Sequence, residues 1–290
     1  MRPRKTIYLF ILPALIVYAV FTLYPIFYGL FISFTNWDGL SPNYDFVGFR
    51  NYKNLLTNDS VFAKSIMNNL KFMLFVVTFQ TILSLIFALF LVKNTKTNIA
   101  LRTLYFLPTI LSSVSVGFIW LNMYDTNFGM IKAVLGLFGI QNSPWWLGNP
   151  DIAIFSVAFV QVWAHSGQLM IIFIAGLQAI PEELYEVAQL EGATRFQTFR
   201  KVTWPLIAPA AAIVIAYTTL QSFRSFDLIF AMTRGGPNYA TEILSTFIYN
   251  VAFQGYKFGY ASAASIVFML FLATLTFIQF KVLRTDRVTY

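Results

Sequence analysis

Six stretches of about 20 mainly apolar residues recur along the chain, and each is long enough to cross a lipid bilayer as a helix. Within lipid the backbone must satisfy its own hydrogen bonds, which favours helices over isolated strands. The sequence therefore predicts an all-α polytopic membrane protein in which residues 1–290 form one transmembrane domain. The predicted spans are Ile7–Phe34, Leu70–Val92, Leu104–Met123, Ile152–Gln178, Leu206–Met232 and Tyr260–Leu283.

The composition agrees with a lipid environment. Hydrophobic residues make up 58% of the chain and charged residues 11%, whereas soluble domains average about 45–50% and about 25%. The net charge of +8 forms neither a basic patch nor a known nucleic-acid-binding motif, so nucleic acid is not an expected partner. Because the chain has no cysteine, disulfides, thiolate metal sites and a Cys nucleophile are excluded.

The distribution of Lys and Arg predicts the orientation, because cytoplasmic loops of membrane proteins are enriched in these residues. With the N-terminus inside, the inner segments carry more Lys and Arg than the outer ones. Both termini and residues 181–204 are therefore expected to face the cytoplasm. The apolar run from Ile7 is too long for the core of a signal peptide, so we interpret it as a retained first span.

Residues 181–204 have the pattern of an amphipathic helix, a glycine turn and a second helix. Pro181 and the acids after it favour a helix N-terminus, and Gly192 suits the position just after a helix. Thr194 and Gln197 have the spacing of a capping box, which opens a second helix expected to run to about Thr203. Pro205 is expected to stop or kink that helix. The segment is either an ordinary membrane-surface loop or a unit that inserts into another protein.

Polar side chains lie at helical spacing in the fourth and fifth predicted spans. Intramembrane polar groups are costly unless they face a cavity or a partner, so two such stripes predict an aqueous path. Interhelical hydrogen bonding is the alternative, and it is favoured for any single Ser or Thr. Arg224 and Asp227 are expected to form a gate or an ion pair. The stripes consist of Gln161, His165 and Gln168; Thr218, Ser222 and Ser225; and Gln221, Arg224 and Asp227.

Glu186–Ala193, followed by eight residues and then Val202–Pro205, resembles the "EAA" loop of ABC importer permeases. The segments Thr233–Pro237, Thr241–Tyr249 and Gly259–Ala263 look like the carbohydrate-uptake class, in particular its maltose-permease-F-like and glycerol-phosphate-permease-A-like subunits. The departures from the loop pattern, Val187, Glu191, Val202 and Trp204, leave its Gly and Pro in place.

The resemblance implies roles for both regions. Residues 181–204, here called the coupling segment, would dock on a separate cytoplasmic ATPase, with Glu186 as a polar contact. The docking residues carried over are Glu186, Ala188, Glu191, Gly192 and Ala193. The corresponding substrate path would include Gln161, Ala164, His165, Gln168, Thr218, Gln221 and Ser222.

The same resemblance implies a multi-subunit importer that moves a carbohydrate, such as a di- or oligosaccharide, into the cytoplasm. The expected partners are a second related permease, two ATPase copies and an external solute-binding protein. The binding protein would dock on the outer loops around Asp38–Asn58 and Gly235–Tyr256. The chain lacks the Gly-x-x-x-x-Gly-Lys-Ser/Thr loop, so ATP and Mg²⁺ are expected on the ATPase, and no cofactor, metal or catalytic residue is expected here.

Other functions remain open at this point. A glycerol-phosphate importer would share the same loop. An ion-coupled secondary transporter would usually show a repeat and broken midplane helices, and no convincing repeat is present. A membrane enzyme is disfavoured because no span or loop gathers a nucleophile–base pair or a cluster of His, Asp and Glu.

Overall fold

The computed structural model describes residues 6–140 and 142–282. This part of the chain is helical, apart from connecting segments and one isolated antiparallel β-bridge between Thr35 and Phe46. The all-α fold class is therefore confirmed for the described residues. The terminal residues 1–5 and 283–290, which the charge distribution predicts to be cytoplasmic, lie outside this range.

The helices follow one another through short loops and, at three places, through a five-residue π-helical turn. They are α1 Thr6–Tyr18, π1 Ala19–Leu23, α2 Tyr24–Ile32, α3 Arg50–Thr57, α4 Ser60–Leu91, α5 Lys96–Ile110, α6 Ser113–Met123, α7 Met130–Leu137, α8 Ala153–Gln178, α9 Glu182–Leu190, α10 Arg195–Thr198, π2 Phe199–Thr203, α11 Trp204–Phe223, α12 Phe226–Met232, α13 Leu244–Tyr249, π3 Asn250–Gln254 and α14 Phe258–Val282.

Among the described residues, five helices are long and apolar enough to cross a membrane, and a bent pair brings the number to six if it is one span. Four of the predicted spans correspond to single continuous helices, although α4 begins ten residues before the predicted Leu70. The short helix α7 lies between the third and fourth predicted spans. The five long helices are Phe10–Ile32, Ser60–Leu91, Ala153–Gln178, Arg195–Phe223 and Phe258–Val282.

The third predicted span, Leu104–Met123, is not one helix. It consists of α5 and α6, which meet at an angle of 99°. Pro108 lacks the N–H that would continue the helical hydrogen bonding, and Leu111 takes an extended conformation (φ −71°, ψ 145°). Ser112 then caps α6 by accepting a hydrogen bond from the Ser115 N–H at 3.2 Å.

The fifth predicted span, Leu206–Met232, is also not one helix, because the helical conformation breaks near its C-terminal end. Helix α11 ends at Phe223, and α12 begins after Ser225, whose ψ of 60° is not helical. The Ser225 hydroxyl donates a hydrogen bond to Gln161 Oε1 at 3.4 Å, although the two residues are 64 positions apart in the sequence. Arg224 therefore lies at a helix break and not inside a span.

Pro205 does not stop the preceding helix, which was one of its two predicted effects. Residues Arg195–Phe223 form one 29-residue helix. The π2 turn just before the proline has i to i+5 bonding, and the Trp204 N–H donates to the Phe199 carbonyl. A widened turn at this point accommodates a residue that lacks a backbone N–H. Turn π1 stands in the same position relative to Pro25.

The chain divides into two compact units. One comprises the chain up to Ala63 together with Phe247–Phe271, where the ring of Trp37 lies 5.7 Å from that of Phe258. The other comprises Lys64–Thr246 and the chain from Leu272.

Helix α8 is the core of the second unit and the most deeply buried of its spans. Two apolar clusters pack along it, one with α4, α6 and α12 and the other with α4 and α11. Gly167 allows α5 to approach α8 closely, because a Cβ at this position would collide with the Tyr105 carbonyl group. Thr109 also donates a hydrogen bond across this contact to the Ala164 carbonyl at 2.8 Å. The close approach fixes the face of α8 on which the polar side chains stand.

Candidate functional site

The coupling segment folds as the helix-turn-helix that its sequence predicts. Pro181, expected at the first helical position, is instead the N-cap of α9, and the helix begins one position later at Glu182. Gly192 follows α9 with φ +72°, a conformation that glycine adopts without strain. Thr194 accepts the Gln197 N–H at 3.3 Å, and the Gln197 side chain accepts the Thr194 N–H at 2.8 Å. These reciprocal bonds form the predicted capping box.

Helix α9 has one face against its own unit and one apolar face exposed. Tyr185 packs against the apolar cluster around α8 and α11, and its hydroxyl lies 3.3 Å from the Thr203 hydroxyl in the π2 turn. On the other side Leu184, Val187 and Leu190 are exposed, and Leu190 is 88% accessible. Exposed apolar side chains clustered on a short helix are typical of a surface that contacts another protein or the membrane.

The predicted docking residues do not all face outward. Glu186, Glu191 and Gly192 are exposed, and Ala193 is half-buried. Ala188 is buried on the inner face of α9, where it supports the packing of the helix, and its docking role stays a prediction. Leu190 was not singled out from the sequence, although its position one turn beyond Val187 is a sufficient signal.

A polar cavity of about 290 Å³ lies among α6, α8, α11 and α12. It brings together Gln161 and His165 from α8 with Gln221 from α11, as the polar stripes predict. Its lining residues are Ser113, Gln161, His165, Tyr217, Leu220, Gln221, Arg224, Ser225, Phe226, Asp227 and Leu228.

The other predicted path residues do not line this cavity. Ser222 and Thr218 are buried and donate to carbonyls within α11, so they serve the helix itself. Ala164 is buried against α5, where its carbonyl accepts from Thr109. The Gln168 amide instead lies 3.3 Å from the Tyr217 hydroxyl. The break at Arg224 also removes the helical spacing that put Ser225 on one face with Thr218.

Arg224 and Asp227 line the cavity and are exposed. No salt bridge joins their side chains in this described segment, which differs from the expected ion pair. The physical reason is the helix break, because Arg224 ends α11 and Asp227 belongs to the first turn of α12. Their proposed role as a gate stays a prediction.

The polar groups of the cavity are held by hydrogen bonds both within α8 and between separate parts of the chain. Gln161 Oε1 accepts from Ser225, and the His165 imidazole Nδ1 lies 3.3 Å from the Gln161 carbonyl oxygen. Gln221 Oε1 lies 3.5 Å from Nε2 of the buried Gln80 on α4. The remaining amide, hydroxyl and guanidinium groups can bind the hydroxyls of a polar solute. Across residues 6–140 and 142–282, no three His, Cys, Asp or Glu side chains are placed to hold a metal ion.

Five lining residues were not selected from the sequence, namely Ser113, Tyr217, Leu220, Phe226 and Leu228. Tyr217 precedes Gln221 by four residues and Arg224 by seven, so helical spacing alone could have identified it. Ser113 and Phe226 lie at the starts of α6 and α12, and their positions depend on the two helix breaks. No local pattern selects these two residues.

These features define a class of membrane-embedded transport components, with several spans, a polar cavity among them and an exposed helix-turn-helix segment. The chain belongs to the family of binding-protein-dependent transport system inner membrane components, which it matches over residues 80–286. Members of this family are multi-pass membrane proteins that act in transport.

Curated relatives match almost the whole chain. The multiple sugar-binding transport system permease protein MsmF of Streptococcus mutans is 35% identical over 94% of this chain and 93% of that protein. The trehalose/maltose transport system permease protein MalF of Thermococcus litoralis is 34% identical over 99% and 96%. In fold, the chain resembles a subunit of a bacterial ABC transporter involved in alginate import, with a TM-score of 0.84, 24% identity and coverage of 98% and 96%.

Proposed function

We propose that the chain is the membrane-spanning permease subunit of an ABC importer that moves a di- or oligosaccharide into the cytoplasm. One observation carries this proposal. The helix Arg195–Phe223 is continuous from the coupling segment to Gln221 at the polar cavity. At 1.5 Å per residue, the 26 steps from Arg195 to Gln221 span about 39 Å, which is close to the thickness of a bilayer with its headgroups. Force applied at the docking surface can therefore reach the cavity.

The carbohydrate assignment is supported by the relatives and by the chemistry of the cavity. MsmF and MalF are permeases of sugar systems by name. The amides of Gln161 and Gln221 can each donate and accept hydrogen bonds, which suits sugar hydroxyls. Tyr217 and Phe226 add aromatic surface for the apolar face of a sugar ring.

The partners are assigned by the same reasoning. A cytoplasmic ATPase that carries ATP and Mg²⁺ would cover the exposed face of α9, and a second permease would complete the wall of the path. A solute-binding protein would dock on the outer loops around 38–58 and 235–256. This arrangement requires both termini and the coupling segment to lie on the cytoplasmic side, as the Lys and Arg distribution predicts.

A glycerol-phosphate cargo is the second candidate. It is favoured by Arg224, whose guanidinium lines the cavity without a salt bridge in the described residues. Arginine binds phosphate oxygens in a bidentate manner, whereas a neutral sugar does not require a cation.

Reconstitution in liposomes tests the proposal. The chain, its partner permease, the ATPase and the binding protein are assembled, and uptake of radiolabelled maltotriose or glycerol 3-phosphate is measured with and without enclosed ATP. We expect ATP-dependent uptake of the sugar. Uptake of glycerol 3-phosphate alone would select the second candidate, and uptake that follows a sodium or proton gradient without ATP would reject both.

A further inference from the structure

A second polar cavity lies beside α3 and the first residues of α4 and α14, within the unit formed by the chain up to Ala63 and Phe247–Phe271. Its volume of about 760 Å³ falls within the range of ligand sites, about 300–1,000 Å³. We call it the outer cavity. Its lining residues are Asn36, Trp37, Arg50, Asn51, Asn54, Asn58, Asp59, Ser60, Lys257 and Tyr260.

The aromatic wall of the outer cavity is fixed in place. Trp37 donates from its indole N–H to the Ser41 carbonyl at 3.0 Å, and its ring packs against Phe258. Tyr260 donates its hydroxyl to Asp59 Oδ2 at 2.8 Å. A held indole face provides a surface for ring stacking at low entropic cost.

The acids in and beside the cavity already have hydrogen-bond donors. Asp59 accepts from Tyr260 through one oxygen and from the Phe62 N–H through the other, at 2.8 Å. Asp38, next to Trp37, accepts from the Ser41 hydroxyl and from the N–H groups of Ser41 and Leu40, and these bonds lower its pKa to about 2. Neither acid is engaged in a salt bridge with a cavity cation.

The cations have no such internal partners. Across residues 6–140 and 142–282, the side chains of Arg50 and Lys257 make no hydrogen bond or salt bridge. The side-chain NH₂ group of Asn54 adds two further donors. Only the amide oxygen of Asn54 has a hydrogen-bond partner, which is the Asn58 amide nitrogen at 3.5 Å. The cavity therefore offers an excess of positive donors beside an aromatic face, which is the complement of an anionic, hydroxyl-bearing ring.

We propose that the outer cavity binds a carbohydrate that carries a carboxylate. In this arrangement Arg50 and Lys257 bind the carboxylate, the asparagine amides bind ring hydroxyls and Trp37 stacks on the sugar. This inference rests on the proposed function, from which it takes two points: the outer cavity faces away from the cytoplasm, and the cargo is a carbohydrate. It adds a site that is separate from the polar cavity among the spans.

Isothermal titration calorimetry of the permease assembled with its partner permease and ATPase in lipid nanodiscs tests this site without the binding protein. Trigalacturonate is the probe, maltotriose is the neutral comparison and inorganic phosphate is the comparison for simple anion binding. The test variant is R50Q/K257Q, and K53Q is the matched control because Lys53 lies on the same helix α3 and does not line the cavity.

We expect saturable trigalacturonate binding that is about tenfold weaker or more in R50Q/K257Q, since charge-assisted bonds to carboxylate are lost, and unchanged in K53Q. Equal binding of maltotriose or phosphate would overturn the proposal, as would an equal loss in K53Q. A loss of binding-protein association in R50Q/K257Q with trigalacturonate binding unchanged would assign the cavity to protein docking instead. ATP-driven maltotriose uptake that persists while trigalacturonate fails to bind would reject this site and leave the proposed function standing.

Discussion

The coupling segment and the polar cavity among the spans have opposite arrangements of polar and apolar side chains. The coupling segment turns Leu184, Val187 and Leu190 outward and buries Ala188. The cavity turns amide, imidazole and guanidinium groups inward, between helices whose outer surfaces are apolar. The first arrangement suits contact with another protein, and the second suits a polar solute that has to pass through lipid.

The difference shows how two functions can share one helix. Arg195–Phe223 begins in the coupling segment and ends beside the cavity, so one continuous helix joins the two surfaces. Changes at the outward-facing surface should alter coupling and leave the cavity intact. Changes at the inward-facing surface should alter substrate affinity and leave ATPase docking intact. Each prediction below tests whether the two surfaces are separable in this way.

The largest effect is expected from Gly167→Ala on the cavity side. The added methyl group collides with the Tyr105 backbone, and overpacking of this kind costs about 1–3 kcal/mol. We expect a lower unfolding temperature in detergent by light scattering or fluorescence. Gly136→Ala is the control, because a Cβ at that helical position meets nothing within 4 Å and should leave the temperature unchanged. Equal behaviour of the two variants would contradict the close approach of α5 to α8.

The next effect is expected from Gly192→Val in the coupling segment. A β-branched residue is strained at φ +72°, and the left-handed conformation costs about 1–2 kcal/mol for an ordinary residue. The turn between α9 and α10 should distort, so ATP-driven uptake falls sharply while the unfolding temperature of the spans stays the same. Gly192→Asn, which tolerates this conformation, should retain most uptake. Normal uptake in the valine variant would show that the turn geometry is not needed for coupling.

A smaller effect is expected from Leu190→Ala. Loss of one exposed leucine from a docking face should weaken ATPase association about tenfold, which is about 1.4 kcal/mol. Leu137→Ala provides the comparison, because Leu137 on α7 is 86% accessible and Leu190 is 88% accessible. Surface plasmon resonance with the purified ATPase gives both affinities. A similar change in both variants would indicate a general surface effect.

The smallest effect is expected from Gln221→Leu in the cavity. The substitution removes hydrogen bonds to the solute, worth about 0.5–1.5 kcal/mol, and conserves most of the volume. We expect a higher KM for uptake, about two- to tenfold, and unchanged affinity for the ATPase. Gln189→Leu, at an exposed position of α9, is the matched control and should leave KM unchanged. An altered ATPase affinity in Gln221→Leu would break the separation of the two surfaces.

The two regions also differ in how far the sequence predicts them. In the coupling segment, Gly192, Thr194 and Gln197 act on neighbours within a few residues, so local patterns predict the turn and the capping box. At the cavity, the bond from Ser225 to Gln161 joins residues that are far apart in the chain. The helix break that this bond accompanies displaced Arg224 and Asp227 from their expected spacing. Pro108 is a local signal for the break in the third span. The apolar residues continue on both sides of the break, so hydropathy alone predicts a single helix there.

The roles of the individual residues at both surfaces stay predictions of the proposed function. What the fold supplies is their placement. Glu186, Glu191 and Gly192 are accessible on the coupling segment, and Gln161, His165 and Gln221 share one cavity.

Site-specific crosslinking tests the central claim most directly, because the chain contains no native cysteine. Leu190→Cys and Leu137→Cys are made separately and treated with a short thiol-to-amine crosslinker in inverted membrane vesicles that contain the whole importer. The account predicts a crosslinked product between Leu190→Cys and the cytoplasmic ATPase, and none from Leu137→Cys. Modification of Leu190→Cys by a membrane-impermeant thiol reagent added outside intact cells, without an ATPase crosslink in vesicles, would contradict the account.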